Sequence, residues 1–212
     1  METNKVPQKL LKRLPVYLHY IKSLPEQVEN ISATKMAKDL GLGDVMVRKD
    51  LAKVSNGGRR KLGYVRNGLI ADIEKYLDIN STTDAIVVGA GKLGQALLDY
   101  IGFEASGLHI VAGFDISSAR KHTKGGKRIY PMKDLPQFCN ANNIAIAIIT
   151  VPAENAQRVC DELVACGIRA IWNFAQVHLN VPSHVVIQSE NLAVSLTTLK
   201  MKLKRKNGCD EY

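Results

Sequence analysis

Three glycines, Gly89, Gly91 and Gly94, stand in the stretch VVGAGKLGQALLDY, Val87 to Tyr100. Four apolar residues, Ala85 to Val88, lead into them, and a helical pattern follows. The chemistry of that spacing is anion binding by backbone. Gly89 permits a tight turn after a strand, Gly91 lets the backbone approach a pyrophosphate, and Gly94 lets the helix pack close to the strand. Free N–H groups around the helix start, at Ala90, Lys92 and Leu93, then face phosphate oxygens. Asp115 lies 21 residues past Gly94, at the end of the next apolar run, VAGFD. A carboxylate there accepts the ribose hydroxyls of NAD and repels a 2′-phosphate. The nearby cations Arg120, Lys121 and Lys124 leave some tolerance of NADP open. A scaffold without ligand, or one for another nucleotide such as CoA, are the other readings of the loop.

Further candidates fall where such folds bind ligands, at the carboxyl ends of strands. Thr150, Val151 and Pro152 close the run IAIAIITVP, and Val151 and Pro152 could wall a nicotinamide. Asn173 and Phe174 end another apolar run, with Phe174 as core or as a lid on the nicotinamide. No nucleophile–base order, HExxH motif or Cys/His cluster is legible. The five histidines, His19, His109, His122, His178 and His184, are scattered, and none stands out as a general base. The four cysteines, Cys139, Cys160, Cys166 and Cys209, show no CxxC spacing and read as reduced thiols of a cytosolic protein. A catalytic residue and a metal site are therefore not expected.

A second chemistry lies upstream. Residues 1–80 carry 15 Lys/Arg against 9 Asp/Glu, a net +6 of the chain's +9, which points to a polyanion. Ser32 can cap a short helix carrying Met36, Ala37 and Leu40, which Gly41 and Gly43 break. Asp44 can cap the next, VMVRKDLAKV, with Val47, Leu51 and Val54 on one face. Two short helices about such a turn make a helix-turn-helix. On the second, Arg48, Lys49 and Lys53 can bind phosphates or read guanine, and Val45 and Met46 can touch thymine methyls. Gly57-Gly58 then signals a hairpin whose strand is Leu62–Arg66, and Arg59, Arg60, Lys61 and Arg66 make it a basic wing.

These sites need two kinds of scaffold. The polar segment DINSTTD, Asp78 to Asp84, divides a helical region from an alternating strand–helix region. The expected division is a winged-helix domain over 1–80, a Rossmann-like domain over 81–188 and a terminal helix and tail over 189–212. Before the divide, Leu10, Leu11, Leu14, Tyr17, Leu18 and Ile21 recur at helical spacing, with Pro15 predicting a kink or a helix start. After it, strands are expected at Ala85–Val88, His109–Phe114, Arg128–Tyr130, Ile144–Thr150, Ala170–Phe174 and Val185–Gln188. Helices are expected at Lys92–Tyr100, Met132–Phe138 and Glu154–Cys166. The alternation predicts a parallel sheet covered on both faces. A last helix, roughly Ser189–Lys206, aligns Leu192, Leu196, Leu199 and Leu203 on one side and must bury that stripe somewhere. No apolar run is long enough to span a bilayer and no secretory leader is apparent, so a cytoplasmic protein is expected.

Taken together, KRLPVYLHYIKSL, VRKDL, LGYVRNGLI, VVGAGKLGQALLDYIGF, IVAGFD, ITVPAENAQ, NFA and LNVP resemble the Rex family of redox-sensing transcriptional repressors over nearly the whole chain. The resemblance implies a homodimer that exchanges its terminal helix between subunits, binds a palindromic operator and releases it as the NADH/NAD+ ratio rises. It also implies NADH as a signal rather than a reagent, held by Gly89 to Gly94 and Asp115, with Phe174 reaching toward the nicotinamide of the partner's site. Arg48 and Lys49 would grip DNA. A polar contact among Arg13, Tyr100 and Asn173 would join the domains. The sequence departs from the family pattern at Val54-Ser55, where Phe-Gly is usual, at the wing Arg59-Arg60-Lys61 and at Gln176, where the family has proline. A small NAD-dependent oxidoreductase and a repressor with lost sensing are the rival readings.

Overall fold

The computed structural model describes residues 7–117 and 121–207. Arg120, Cys209 and the side chain of Lys206 lie outside the described residues. The chain divides into two compact units, Met1–Ser81 and Thr82–Tyr212.

The first unit comprises α1 (Gln8–Ser23), β1 (Asn30–Ile31), α2 (Ala33–Asp39), α3 (Asp44–Val54), β2 (Tyr64–Val65) and α4 (Arg66–Tyr76). α1 continues through Pro15 as one helix, and its apolar stripe Leu10, Leu14, Tyr17 and Ile21 is buried against Met36, Val47, Leu51, Leu69 and Ile73. Ser32 caps α2, its hydroxyl accepting from Lys35 N–H at 3.3 Å. Asp44 does not cap α3. Gly43 holds that position, and Asp44, inside the first turn, pairs with Arg48 at 3.0 Å instead.

The wing is built differently from the expected hairpin. Its strand is only Tyr64–Val65 and pairs antiparallel with Asn30–Ile31, a segment too short to read from sequence. Arg66 already begins α4. Gly57-Gly58 is not the tip. Arg59 and Gly63 bridge across Arg60, Lys61 and Leu62, and Lys61 takes the left-handed conformation at φ 70. Ser55, one of the family departures, is buried and closes the turn into the wing by accepting from Gly57 N–H at 3.1 Å.

The second unit is a six-stranded, wholly parallel sheet. Its elements are β3 (Thr83–Val88), α5 (Lys92–Leu98), β4 (Leu108–Asp115), β5 (Ile129–Pro131), α6 (Leu135–Asn142), β6 (Ile146–Ile149), α7 (Ala153–Ala165), β7 (Ala170–Asn173), β8 (Val186–Ser189) and α8 (Leu192–Asn207). α5 stops at Leu98, two residues early, and a 3-10 turn over Ile101–Ser106 follows. Strand order is β5-β4-β3-β6-β7-β8. The order reverses between β3 and β6, which opens a crevice at their carboxyl ends.

Alternation along the strands separates two cores. Ile86, Val88, Ala147 and Ile149 face one, and Val87 and Ile148 face the other. The β3–β4 register slips at Ala85/Ile86, so Ala85 pairs with Ile110 and Ile86 with Ala112. The slip puts Ile110 on the opposite face from Ala112 and Phe114. α8 carries Leu192, Leu196, Leu199 and Leu203, all between 59% and 68% exposed.

Candidate functional site

The glycine loop leaves β3 at Gly89, whose φ of 102 only glycine adopts readily. A Cβ there would meet the Thr150 carbonyl carbon and Val151 N, both at 2.9 Å. Across the switch point Thr150 ends the β6 side, and its hydroxyl donates to Gly89 O at 2.7 Å, tying the two strand ends together. At Gly94 a Cβ would fall on the carbonyl oxygen of Gly89, so α5 packs with no room for a side chain. At Gly91 a Cβ would meet nothing within 4 Å. The protein does not require that glycine, whereas a pyrophosphate lying against the backbone would.

Asp115 ends β4 beside Gly89, whose N–H donates to Phe114 O at 2.8 Å. Each carboxylate oxygen of Asp115 already has a backbone partner. Ala90 N–H donates to Oδ2 at 2.6 Å and Ser117 N–H to Oδ1 at 2.7 Å. These bonds fix the group, and each oxygen keeps a further lone pair for a ribose hydroxyl. A cavity of about 710 Å3 opens here, lined by Gly89, Gly91, Asp115, Thr150, Val151 and Pro152 among others. A second recess of about 340 Å3 shares Gly91 and Asp115 and adds Ala90 and Lys92. Leu93 is exposed on α5. The glycine spacing, the fixed carboxylate and the cavity size fit a dinucleotide.

The cavity also involves residues that sequence reasoning missed. Asn155, Arg158, Val159 and Glu162 line it from α7, Ile116 from the loop after β4 and Met132 from a 3-10 turn after β5. Their spacing of three, four and seven residues is one helix face, but three of the four are polar and read as a solvated surface.

Phe174 is not among the cavity lining. It packs on Trp172, with ring centroids 4.6 Å apart, and Trp172 meets Phe103 at 5.8 Å. Asn173 is fully buried and engaged within its own unit. Its amide donates to Val177 O at 3.0 Å, and its carbonyl oxygen accepts from Ala175 N–H at 2.9 Å. That clasp holds the loop bearing Phe174 where Gln176 replaces proline. Tyr100 is exposed and edge-on to Phe103 at 4.9 Å. Arg13 is engaged by Asp50 of α3, at 2.6 and 2.8 Å.

In the first unit Arg48, Lys49 and Lys53 are exposed on α3, with Met46 half-buried and Val45 exposed beside them. The Arg48 fork is held by Asp44 and by Thr34 Oγ1 at 2.9 Å. A groove of about 490 Å3 separates α3 from the wing, lined by Thr34, Arg48, Ala52, Arg59, Arg60 and Lys61 among others. Arg66 is not part of this surface. Its guanidinium donates to the carbonyls of Lys22, Leu24 and Pro25, capping the end of α1.

No group of metal-ligating side chains occurs among the described residues. Cys139 and Cys160 are buried and Cys166 is half-buried, all three as free thiols. Burial pushes the Cys139 thiol up to about 11, which makes it a poor nucleophile. No helix among the described residues is long and apolar enough to cross a membrane.

Comparison with known proteins places both halves. Residues 80–177 match the family described as CoA binding domain, and residues 5–52 match one described as a DNA-binding protein N-terminus. The redox-sensing transcriptional repressor Rex of Carboxydothermus hydrogenoformans is 38% identical, over 97% of this chain and 100% of that protein. The crystal structure of RSP with NAD+ and operator DNA superposes with a TM-score of 0.86 at 31% identity, covering 99% of this chain and 97% of that one. RSP with NADH gives 0.87 at the same identity, covering 99% of both chains.

Proposed function

The chain belongs to the Rex family of redox-sensing transcriptional repressors, and we propose that each of its two units carries one of the two activities. It is a DNA-binding repressor that senses NADH against NAD+ as ligands, not an enzyme. The observation that carries the ligand assignment is the Asp115 carboxylate, held by two backbone N–H groups beside the glycine loop. It favours a free ribose diol. It disfavours the ribose phosphates of NADP and CoA by like charge, so NAD(H) is preferred over the ligand that the CoA binding family is named for.

In this reading Gly89 to Gly94 hold the pyrophosphate and Asp115 holds the adenosine ribose. Thr150, Val151 and Pro152 wall the crevice, and Phe174 reaches the nicotinamide of a second subunit. Arg48, Lys49, Lys53, Arg59, Arg60 and Lys61 grip DNA, and Met46 touches a base edge. The chain acts as a homodimer in the cytoplasm on a palindromic operator. Arg13, Tyr100 and Asn173 remain the candidates for carrying the signal between units, and the intra-unit partners of Arg13 and Asn173 would then have to be exchanged. NADH and operator DNA must weaken each other equally. A hundredfold effect corresponds to about 2.7 kcal/mol.

The test is to select an operator from random duplexes at fixed salt and titrate the complex with NADH and NAD+. Trp172, the only tryptophan, gives a second readout. Reduced nicotinamide absorbs where tryptophan emits and the oxidised form does not. Trp172 emission should therefore fall on NADH binding at the same concentration that releases DNA. Release without quenching, or equal release by NAD+, would count against the reading.

The phosphate-binding side chains have their own signature. Lys49→Ala and Arg59→Ala should weaken operator and scrambled duplex alike. Each should also reduce the slope of log affinity against log salt by about 0.9 for each phosphate no longer neutralised. An unchanged slope would remove that side chain from the interface.

A further inference from the structure

Asp50 lies mid-way along α3 and is only 5% exposed, where Arg48, Lys49 and Lys53 of the same helix are exposed. Two side chains of α1 converge on it. Arg13 donates from Nε to Oδ2 at 2.6 Å and from Nη2 to Oδ1 at 2.8 Å. The hydroxyl of Tyr17, itself fully buried, donates to Oδ2 at 2.9 Å. The carboxylate is thus met by three donors, all from one neighbouring helix. The bond to Asp50 raises the Arg13 pKa. Burial, and then the same carboxylate, push the Tyr17 hydroxyl up to about 12.

A buried ion pair is a weak source of stability, because desolvation offsets most of the attraction and a well-packed apolar pair holds two helices at least as firmly. α3 already has such packing through Val47 and Leu51, both fully buried against the apolar core of the unit. Apolar contacts are non-directional, however, and leave a helix tolerant of small rotations about its axis. A two-pronged guanidinium–carboxylate pair is planar and directional, and adds geometric specificity. Rotation of α3 by about 10° would carry a side-chain tip about 6 Å from the axis through about 1 Å. That is enough to spoil a hydrogen bond to a base edge. A flexible lysine reaching a phosphate would absorb it.

We propose that Asp50 is a positioning residue for operator readout: clamped by Arg13 and Tyr17, it sets the rotation of α3 and so the face presented to the base edges. Asp50 touches no DNA itself. The role rests on α3 being the recognition helix, and it separates two properties that a general loss of folding would lower together.

Asp50→Asn keeps the shape and removes the charge. Operator affinity should fall at least tenfold, and affinity for a scrambled duplex should stay within threefold, with the salt slope unchanged. Arg13→Lys keeps the charge and loses the fork, and should give a comparable loss of specificity. The double variant should be no worse than the worse single one. Tyr17→Phe removes one bond and leaves the packing, so it should give a loss of about threefold. Far-UV circular dichroism, thermal melting and quenching of Trp172 by NADH report whether both units remain folded. A parallel fall of operator and scrambled affinities would reduce Asp50 to a structural residue and overturn the proposal. So would wild-type operator preference in Asp50→Asn. Absence of any operator preference in the wild-type chain would instead overturn the reading of α3, and the proposal with it.

Discussion

Gly94→Ala is expected to abolish NADH binding while leaving operator binding intact, which gives a repressor that reduced cofactor cannot release. The added methyl would land on the Gly89 carbonyl oxygen and approach Thr150 Oγ1 to 2.8 Å. Neither neighbour can yield freely. Gly89 is fixed in the left-handed region, and its carbonyl oxygen already accepts the Thr150 hydroxyl. Relief must come from moving α5 away from β3, which would dissolve the proposed phosphate cradle. NADH affinity should drop by at least a hundredfold, or about 2.7 kcal/mol. Overpacking should also lower the stability of this unit by about 1–3 kcal/mol.

Gly91→Ala is the informative companion. Its Cβ meets nothing and its φ is −67, so the fold should melt as before. A methyl at that point would nonetheless occupy the approach of the pyrophosphate, and NADH affinity should fall about tenfold or more. Isothermal titration and Trp172 quenching measure both variants. Wild-type affinity in Gly91→Ala would mean that the phosphates lie elsewhere.

The second large effect is expected from the paired substitution Leu196→Asp and Leu199→Asp in α8. The stripe to which they belong is exposed along the helix. Each leucine buried there would contribute about 1.5–3 kcal/mol. A contiguous apolar stripe of this kind marks an interaction surface, and in the proposed homodimer the partner subunit would cover it. The double variant should sediment as a monomer. Operator affinity should then fall by about 10^2 to 10^4, since the second half-site is no longer held at high effective concentration. A monomeric variant with undiminished operator affinity would remove the dimer from the mechanism. A variant still dimeric would remove α8 from the interface.

Much of this was legible in the sequence, for identifiable reasons. The glycine loop and Asp115 are readable because backbone geometry leaves so few alternatives at those positions. The buried strands are readable because Ile86–Val88 and Ile146–Ile149 are continuous apolar runs between glycines and polar turns. Short or polar elements were not readable. β1 has two residues and owes its existence to pairing with β2. The α7 wall of the cavity is built from Asn155, Arg158 and Glu162, whose side chains could equally face water. Arg66 looked like part of a basic wing, yet it caps α1 across 41 to 44 residues of sequence. Nothing in the local pattern singles out Asp50, which is held inside by Arg13 and Tyr17 of α1. In each case a tertiary contact, invisible to local pattern, decided the role.

The clamp on Asp115 has a bearing on what this protein can discriminate. Two backbone N–H groups hold the carboxylate, so in the proposed site the group that would meet the adenosine ribose is fixed by the fold itself. That half of the proposed site would meet the same chemical groups in NADH and in NAD+. It would therefore contribute equally to both, and a contribution equal for two forms cannot choose between them. Substitutions around Asp115 or along the α7 wall should raise or lower both dissociation constants by one common factor. They would move the total nucleotide concentration at which the site fills, like the gain of an instrument. The choice between oxidation states has to be made beyond the pyrophosphate, where the two molecules first differ.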